Sequence, residues 1–593
     1  MQLSTFDWSF IIGFFILSIA IGVVAAKKAG ESYDNFFLSG RNMPWWLLGF
    51  SMVATTFSAD TPNLVTDIVR KNGVSGNWQW WAFLLTGMLT VFVYAKLWRR
   101  SGVDTDLEFY ELRYSGKVAA FLRGFRAIYL GVFFNIMIMA TVSLAAIKIG
   151  GVMLDLKPWQ TVVIASVVTV IYSSLGGLTG VIWTDFFQFI IAMIGVVGAA
   201  CVVLNLPEVG GLGAMLEHPN VAGKINILPD FNNMDALLPF LIMPLAIQWW
   251  SVWYPGAEPG GGGYIAQRML SAKNEDHAIG ATLFFNFTHY ALRPWPWIIV
   301  ALASLIVFPD LASLQKAFPH IPADKLNDDL AYPAMLTYLP SGLLGLVVAS
   351  LIAAYMSTIS THLNWGSSYV VNDFYKRFLK PDARERELVA VGRISTVVLM
   401  IVSALLALRL SNALQAFNIL LQIGAGTGLI FILRWFWWRI NAWSEIAAMV
   451  ISFLVALYFE FLQPDLAAHV KLIWGVGITT AGWLIVTFLT QPTPHVTLLS
   501  FYKKIKPHPG GWQAVIRPAL SIGELEESEI VPGKLPVELL CMVAGCFLVY
   551  GVLFGFGFLL YDQSDKAIAG FSIAAVMSYI LIKSWKQVKG IRS

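Results

Sequence analysis

Long apolar stretches alternate with short polar ones along most of the chain. A helix needs about 20 predominantly apolar residues to cross the hydrocarbon core of a bilayer. Because a backbone in contact with lipid must satisfy its own hydrogen bonds, apolar runs of this length predict membrane-spanning helices. The pattern predicts fifteen spans, namely 6–26, 44–68, 77–98, 123–149, 159–178, 181–205, 236–256, 277–308, 339–362, 388–410, 414–438, 443–462, 470–490, 536–561 and 567–584.

Two of these spans are interrupted by residues that disfavour a helix. The second span contains Asp60, Thr61 and Pro62, and a proline removes a backbone donor and disfavours the helical conformation before it. The seventh span runs into Pro259 and the four glycines 260–263. Two broken helices in matching positions of two halves indicate a binding site near the middle of the membrane. A simple kink capped by Asp60 is the alternative for the first interruption.

The ninth span carries a cluster of hydroxyl groups, on Ser357, Thr358, Ser360 and Thr361. Ser357, Ser360 and Thr361 share one helical face because they are spaced i, i+3 and i+4. A single hydroxyl in a membrane helix usually bonds its own backbone or a neighbouring helix. Four hydroxyls in five positions favour an oxygen cage for a hard cation, completed by a partner helix.

Asp185 and Arg293 are two of the charged residues that fall inside predicted spans. Asp185 follows the glycine-rich stretch 173–180, where it is either a carboxylate favoured by the helix N-terminus or a cation ligand and gate. Arg293 lies in the eighth span, and an intramembrane arginine needs a partner. Asp60 and Glu258 are candidate partners for a structural ion pair, and a contact with the solute is the alternative.

Composition agrees with a membrane protein. Of the 593 residues, 57% are hydrophobic and 13% charged, and the mean hydropathy is +0.67. Soluble proteins carry about 25% charged residues. The net charge of +4 and the absence of a basic low-complexity tail predict no nucleic-acid partner. Cys201, Cys541 and Cys546 lie in apolar runs and predict no disulfide framework. Without a P-loop, an HExxH motif or a nucleophile elbow, the chain is not expected to be an enzyme.

Lysines and arginines predict the orientation, because positively charged loops remain in the cytoplasm. They concentrate in the loops after the first, third, ninth and thirteenth spans, whereas 206–235 and 309–338 contain few. The N-terminus is therefore expected outside and the C-terminal tail in the cytoplasm, in a multi-pass protein of the plasma (inner) membrane. Since residues 1–8 lack a positively charged region, the first run predicts a retained span rather than a cleaved signal.

Four stretches match one known pattern. They are 36–46 (FFLSGRNMPWW), 173–185 (SSLGGLTGVIWTD), 264–268 (YIAQR) and 353–376, which runs from AAYMSTIST to NDFYK. Together they resemble the motifs of the sodium:solute symporters, a family that includes sodium/glucose, sodium/proline and sodium/sialic acid cotransporters.

The resemblance implies an all-α, LeuT-type fold of two inverted five-helix repeats, with one extra N-terminal helix and about four extra C-terminal helices. It divides the chain as follows: 1–43, the extra helix and a cytoplasmic loop; 44–205, the first repeat; 206–235, an external loop; 236–438, the second repeat; 439–490, two peripheral helices; 491–535, a cytoplasmic loop; and 536–593, two C-terminal helices and the tail.

The resemblance also implies sodium as the coupling ion and positions for its ligands. The main sodium site falls on carbonyls or hydroxyls of Ala54, Phe57, Ala354, Ser357 and Thr358. A second sodium site of some members falls on Asp185, Ser357, Ser360 and Thr361. The aromatic residue of the inner gate falls on Tyr264.

The substrate does not follow from the resemblance. Where sugar-transporting members carry an amide before the gate tyrosine, this chain has Gly261 and Gly262, and Thr61 replaces a glutamine. The substrate and gate residues are predicted to be Thr61, Gln79, Trp253, Glu258, Tyr264, Arg293 and Gln422. Several tryptophans near these positions favour a sugar or polyol, unless they only anchor the helices at the membrane interface. A buried arginine also suits a carboxylate or amino-acid substrate.

The sequence therefore predicts sodium-coupled symport of a small polar solute by alternating access. The expected partners are the solute and the lipid bilayer, and the oligomeric state stays open. A transporter-like membrane receptor is one alternative, although the 491–535 loop is short for a signalling domain. A proton-coupled carrier or channel is another, with Asp60 and Asp185 as proton carriers. Asp60 is thus an intramembrane charge with either a structural or a functional role.

Overall fold

The computed structural model describes residues 3–154, 156–252, 258–319, 321, 326–410, 424, 426–530 and 534–589. Within these ranges the regular structure is helical, and β-structure is limited to one bridge between Met43 and Ala272. Eleven helical segments of the described part are long and apolar enough to cross a membrane, and Trp45–Thr55, Pro158–Ile171 and Met234–Ala246 are shorter apolar helices. Helices occur at every predicted span, although in 414–438 the described helix covers only 426–433 because 414–423 lie outside the described residues.

The first third of the chain, up to the loop at 205–211, contains eleven α-helices among its described residues. They are α1 (Thr5–Ala29), α2 (Tyr33–Leu38), α3 (Trp45–Thr55), α4 (Thr61–Asn72), α5 (Trp78–Trp81), α6 (Leu84–Leu89), α7 (Ala95–Ser101), α8 (Phe109–Arg113), α9 (Gly116–Ile128), α10 (Asn135–Leu154) and α11 (Pro158–Leu204). π-Helical turns at Thr90–Tyr94 and Tyr129–Phe134 make α6 continuous with α7 and α9 with α10.

The middle of the chain holds the second broken span and the hydroxyl-rich helix. Its helices are α12 (Leu212–Glu217), α13 (Pro219–Ala222), α14 (Met234–Leu237), α15 (Met243–Ala246), α16 (Gly263–Ser271), α17 (Glu275–Phe287), α18 (Pro294–Val307), α19 (Leu311–Ala317), α20 (Ala331–Leu336), α21 (Leu343–Ser368) and α22 (Glu385–Ala407). π-Helical turns at Leu238–Ile242 and Thr288–Leu292 join α14 to α15 and α17 to α18, and Tyr369–Leu379 extends α21.

After the helical stretch 426–433, six further α-helices lie in the described part of the chain. They are α23 (Ala442–Leu462), α24 (Ala468–Leu489), α25 (His495–Ile505), α26 (Gln513–Ser521), α27 (Leu535–Leu560) and α28 (Ser564–Val588). The pairs α23–α24 and α27–α28 each pack mainly on one another. Their outer faces carry many exposed apolar side chains, which is typical of helices that face lipid.

The hydroxyl-rich helix α21 lies at the centre of the packing. It contacts α1, α3, α10, α11, α16 and α22. Asp7 of α1 accepts hydrogen bonds from the backbone N–H groups of Gly342 and Gly345, at 2.7 and 2.8 Å. Because these donors lie in the first turn of α21, the extra N-terminal helix caps α21. Nearly every side chain from Leu344 to Ser368 is buried, so polar groups on this helix must find partners inside the protein.

Glycines permit the sharp changes of direction beside the site. Gly177 has φ 52° and ψ −155°, which interrupts α11 at the glycine-rich stretch of the sequence. Gly260 and Gly261 have φ 86° and 87° and lead into α16. Only glycine adopts such angles without a steric cost, so these positions end one helical segment and start the next.

Candidate sodium and solute site

The end of α3 is held against the middle of α21 by hydroxyl groups. The Thr358 hydroxyl donates to the backbone carbonyl of Thr55 at 2.8 Å and lies 3.1 Å from the carbonyl of Ala354. The hydroxyls of Thr55 and Thr361 are 2.9 Å apart. The partner helix that the hydroxyl cluster requires is therefore the first half of the first broken span.

The predicted main-site residues lie around this contact. Ala54, Phe57, Ala354, Ser357 and Thr358 are all buried, with exposures of 2% or less. The Ala54 carbonyl accepts a hydrogen bond from the N–H of Phe57 at 3.0 Å, in the turn that ends α3. The structure thus brings the Ala354 carbonyl and the Thr358 hydroxyl to the end of α3. The α3 carbonyl that contacts Thr358 belongs to Thr55, which sequence reasoning did not select.

Asp185 and Ser357 of the predicted second site also meet. The Asp185 carboxylate accepts hydrogen bonds from the hydroxyls of Ser357 at 2.7 Å and Ser51 at 2.5 Å. The other two predicted residues point elsewhere: Ser360 donates to the Ser357 carbonyl of its own helix at 3.1 Å, and Thr361 faces Thr55. A cation in this place would find one carboxylate and two hydroxyls within reach.

Arg268 is a site residue that sequence reasoning missed. Its guanidinium is fully buried and lies 3.8 Å from the Asp185 carboxylate. It also donates to the hydroxyls of Thr361 at 2.8 Å and Ser51 at 3.2 Å. The signal was present, because Arg268 ends the same motif from which Tyr264 was selected. It links α16 to both α3 and α21.

Unpaired polar atoms collect at the first break, between α3 and α4. Among the described residues, Oδ1 of Asp60, Oδ1 of Asn63 and the hydroxyl of Thr66 are buried without a hydrogen-bond partner. Thr61, the first residue of α4, is half-buried. Buried polar groups are normally satisfied by protein, water or ligand, so these atoms are candidates for contact with water or a polar solute.

The second break contains Glu258, whose partners differ from those expected. Glu258 is 3% exposed and forms ion pairs with Arg126 of α9 and, at 2.9 Å, with Arg434. Arg434 also lies 3.5 Å from Glu445. The prediction that Glu258 could pair with Arg293 is wrong, because two other arginines occupy its carboxylate.

Tyr264 and Gln79 lie on different helices, α16 and α5. Tyr264 is buried in the first turn of α16, with its ring 6.1 Å from that of His362. Gln79 is half-buried, and its backbone carbonyl accepts a 2.8 Å hydrogen bond from the side chain of Gln248. The predicted substrate residues Trp253 and Gln422 lie outside the described residues.

Arg293 contacts the end of α3 instead of a carboxylate. Its Nη1 donates to the carbonyl of Val53 at 3.0 Å and to the hydroxyl of Thr56 at 3.3 Å. Its Nη2 donates to Nδ1 of His289 at 2.6 Å. The prediction that Asp60 could be its partner is also wrong, since no ion pair of the described residues includes Arg293.

This geometry accompanies a clear similarity in sequence. Residues 36–452 match the sequence profile of the sodium:solute symporter family. The chain belongs to this family.

Several characterised members align over most of this symporter. It is 26% identical to the sodium/glucose cotransporter of Vibrio parahaemolyticus over 467 residues, which are 75% of this chain and 83% of that protein. It is 27% identical to a sodium/mannose cotransporter of Bos taurus over 78% of this chain and 80% of that protein. Identity to the sodium/myo-inositol cotransporter 2 of Oryctolagus cuniculus is 26%, over 78% and 71% of the two chains.

A solved structure supports the fold. The structure of a Na+-coupled sialic acid symporter in a substrate-bound, outward-open state superposes with a TM-score of 0.64. The match covers 83% of this symporter and all of that chain, at 20% identity. The predicted all-helical, LeuT-type fold class is therefore confirmed. As a family member the protein is a multi-pass membrane transporter, not an enzyme, and couples a small solute to sodium.

Proposed function

We propose that this symporter drives a small polyhydroxylated solute, a sugar or polyol, across the membrane by alternating access. The names of the relatives support this solute class, since they specify glucose, mannose and myo-inositol. The observation that carries the proposal is the hydrogen bond from the Thr358 hydroxyl to the Thr55 carbonyl at the end of α3. A cation bound there bridges a broken helix and a continuous one.

The main sodium site is proposed at this contact. Its ligands are the carbonyls of Ala54, Phe57 and Ala354 and the hydroxyls of Ser357 and Thr358. Oxygen ligands suit a hard cation, and the C-terminal end of α3 adds partial negative charge. Sodium then stabilises the packing of α3 against α21, so that ion and solute raise each other's affinity by the same factor.

A second sodium ion is proposed beside Asp185. The carboxylate and the Ser357 hydroxyl are already 2.7 Å apart. Ser360 and Thr361 would complete the ligand set after a change of rotamer. Arg268 competes for this carboxylate, so sodium entry and the position of Arg268 are coupled. Each sodium that moves inward gains about 2.3 kcal/mol per 100 mV of membrane potential.

The repeat layout and orientation follow the same proposal. Residues 44–205 and 236–438 form the two inverted repeats, flanked by 1–43 on one side and by 439–490, 491–535 and 536–593 on the other. The segment 206–235 is external. The N-terminus faces the outside and the C-terminus the cytoplasm of the plasma (inner) membrane, as the distribution of lysine and arginine supports.

The solute cavity is proposed between the two breaks. Thr61, Gln79, Tyr264 and Arg293 line it, with Trp253 and Gln422 as further candidates. Unpaired oxygens of Asp60 and Asn63 suit the hydroxyl groups of a sugar or polyol. Glu258 acts in gating, because its two ion pairs hold the second break closed.

Uptake by proteoliposomes tests the proposal. Labelled D-glucose and myo-inositol are offered under an inward sodium gradient, an inward proton gradient in potassium, or no gradient. We expect accumulation only with sodium. Accumulation driven by protons would favour a proton-coupled carrier, and sodium-dependent binding without accumulation would favour a receptor.

A further inference from the structure

Arg293 is a buried cation beside the first break that has only neutral hydrogen-bond partners. Its side chain is fully buried, and its hydrogen bonds go to the Val53 carbonyl, the Thr56 hydroxyl and the His289 ring. None of its hydrogen-bond partners among the described residues is a carboxylate. A buried charge without a counter-ion is costly, which makes such a residue a functional candidate.

The undescribed parts of the chain supply no obvious counter-ion either. Segments 253–257 and 411–423 contain no aspartate or glutamate. The acidic residues outside the described ranges are Asp155 and Asp324, which fall between predicted spans. Arg293 therefore differs from Arg70, a buried arginine that forms a 2.7 Å ion pair with Asp328.

Two N–H groups, Nε–H of Arg293 and Nε2–H of His289, have no hydrogen-bond partner among the described residues. The rings of Phe57 and Trp297 lie near the guanidinium, with centroid distances of 5.4 and 5.1 Å from Cζ, and Nε has no hydrogen-bond partner among the described residues. His289 accepts from Arg293 through Nδ1, so it is neutral and carries its proton on Nε2. No hydrogen bond between described residues uses that Nε2.

The end of α3 does not neutralise this charge on its own. A helix C-terminus carries about half a negative charge, and Arg293 bonds to its Val53 carbonyl. The proposed main sodium ion uses the same helix end, through Ala54 and Phe57. Sodium binding thus adds a second positive charge where one is already uncompensated. An anion that arrives with sodium would balance both.

We propose that Arg293 binds a carboxylate of the transported solute and that this solute is a sugar acid. This inference rests on the proposed symport and narrows its substrate class. The guanidinium and the Nε2–H of His289 provide donors for the carboxylate. A neutral sugar would fill the same cavity and leave Arg293 unbalanced.

Matched pairs of neutral and acidic sugars test the inference. Purified wild-type protein in sodium buffer at neutral pH is titrated with D-glucose and D-glucuronate, and with D-galactose and D-galacturonate, while thermal stability is recorded. We expect at least one of the acids to stabilise the protein at a concentration about tenfold lower than its neutral counterpart needs for the same stabilisation. Equal or better stabilisation by the neutral sugars overturns the inference, and so does a response to none of the acids.

Variants at Arg293 connect the preference to this side chain. Arg293→Gln should bring the acid-to-neutral ratio close to one while sodium alone still stabilises the protein, and Arg293→Lys should retain part of the preference. Arg70→Gln serves as the matched control, because it removes a buried arginine that already has a carboxylate. An unchanged ratio in Arg293→Gln rejects the role of Arg293. If that variant does not fold, the wild-type titrations decide.

Failure of the inference is distinguishable from failure of the proposed symport. If neutral sugars are taken up with sodium and the sugar acids are neither taken up nor stabilise the protein, only the assignment of Arg293 is wrong. If neither sodium-specific stabilisation nor sodium-driven uptake is seen for any solute, the symport itself is contradicted.

Discussion

The hydroxyl of Thr358 lies 2.8 Å from the backbone carbonyl oxygen of Thr55. This contact joins the first half of a broken helix to a helix that runs unbroken from Leu343 to Ser368. Because α4 starts separately at Thr61, α3 can change its angle to α21 without carrying α4 with it. A cation that replaces this hydrogen bond with several oxygen ligands can therefore favour one packing of α3 over another.

Sodium should stabilise the purified protein more than potassium, and Ser357→Ala should abolish the difference. A ligand that binds only the folded protein stabilises it by about 2.7 kcal/mol at a hundred times its dissociation constant. Thermal unfolding in the two salts at equal ionic strength measures the effect. Ser350→Ala is the matched control, because the Ser350 hydroxyl is buried on the same helix but donates only to the Val347 carbonyl. Equal stability of the wild type in both salts would contradict a sodium site here.

Much of the fold could be predicted because hydrophobic length is a local property of the sequence. The breaks at Pro62 and at 260–263 were visible for the same reason, since proline and glycine act on their own backbone. The partners of ion pairs between distant parts of the chain could not be predicted from the sequence. Glu258 pairs with Arg126 and Arg434, which are far away along the chain, and no local pattern distinguishes these arginines from Arg293.

Local motifs predicted which helices meet more reliably than which of their atoms are in contact. The hydroxyl cluster on α21 predicted a partner helix, and α3 is that helix. Which α3 carbonyl faces Thr358 depends on the rotation of α3, and the sequence does not determine it. The pairing of Arg268 with Asp185 was missed because the two lie on different helices, α16 and α11.

Asp185 and Arg268 should depend on one another for stability. Both are fully buried at a separation of 3.8 Å. Asp185→Asn and Arg268→Gln should each lower the free energy of unfolding by about 3–5 kcal/mol, since each leaves the other charge unpaired. The double variant should cost clearly less than the sum. Chemical denaturation in detergent without sodium measures all three.

If the losses of unfolding free energy in the two single variants add up to the loss in the double variant, the two charges act separately. A destabilised single variant alone would not establish the pair, because either side chain also bonds Ser51. Ser51→Ala therefore serves as the control for the loss of a shared hydroxyl. We expect it to cost about 1–3 kcal/mol, the range for a buried hydrogen bond that is lost.

Asp104→Asn should stabilise the protein more at neutral than at acidic pH. Burial, with the neighbouring Glu108 carboxylate, raises the pKa of Asp104 to about 6, despite the ion pair with Arg41. An unfolded aspartate has a pKa of about 3.9. The folded state therefore binds the proton more tightly, and the carboxylate becomes an increasing cost as the pH rises between these values. Melting temperatures of variant and wild type at about pH 5 and about pH 7.5 measure the trend.

Asp310→Asn provides a control, because the pKa of Asp310 is lowered in the folded protein whereas that of Asp104 is raised. Asp310 caps α19, and hydrogen bonds from Ser313 lower its pKa. The stability it contributes is present above the unfolded pKa and is lost only in stronger acid, so its effect should stay constant across the same window. A constant or reversed difference for Asp104→Asn would mean that the ion pair with Arg41 outweighs burial.

Glu258→Gln should open the second break. The carboxylate is shared by Arg126 and Arg434, and its removal leaves two buried guanidinium groups without their common anion. Breaking a buried pair costs about 3–5 kcal/mol, enough to shift a closed state toward an open one. Modification of Ala266→Cys by a water-soluble thiol reagent, in a background without the three native cysteines, measures exposure of α16. We expect the rate to rise by about tenfold or more.

The exposed pair of Glu387 and Lys380 separates gating from a general loss of charge. Its atoms are 2.7 Å apart, but the lysine side chain is 53% exposed, so Glu387→Gln should leave the modification rate unchanged. Sodium should slow the reaction in the wild type if ion binding favours a closed inner side, and it should slow it less in Glu258→Gln. If the modification rate of Ala266→Cys is the same with and without Glu258→Gln, the ion pairs only support the fold. Tyr264 or another residue then closes the access to α16.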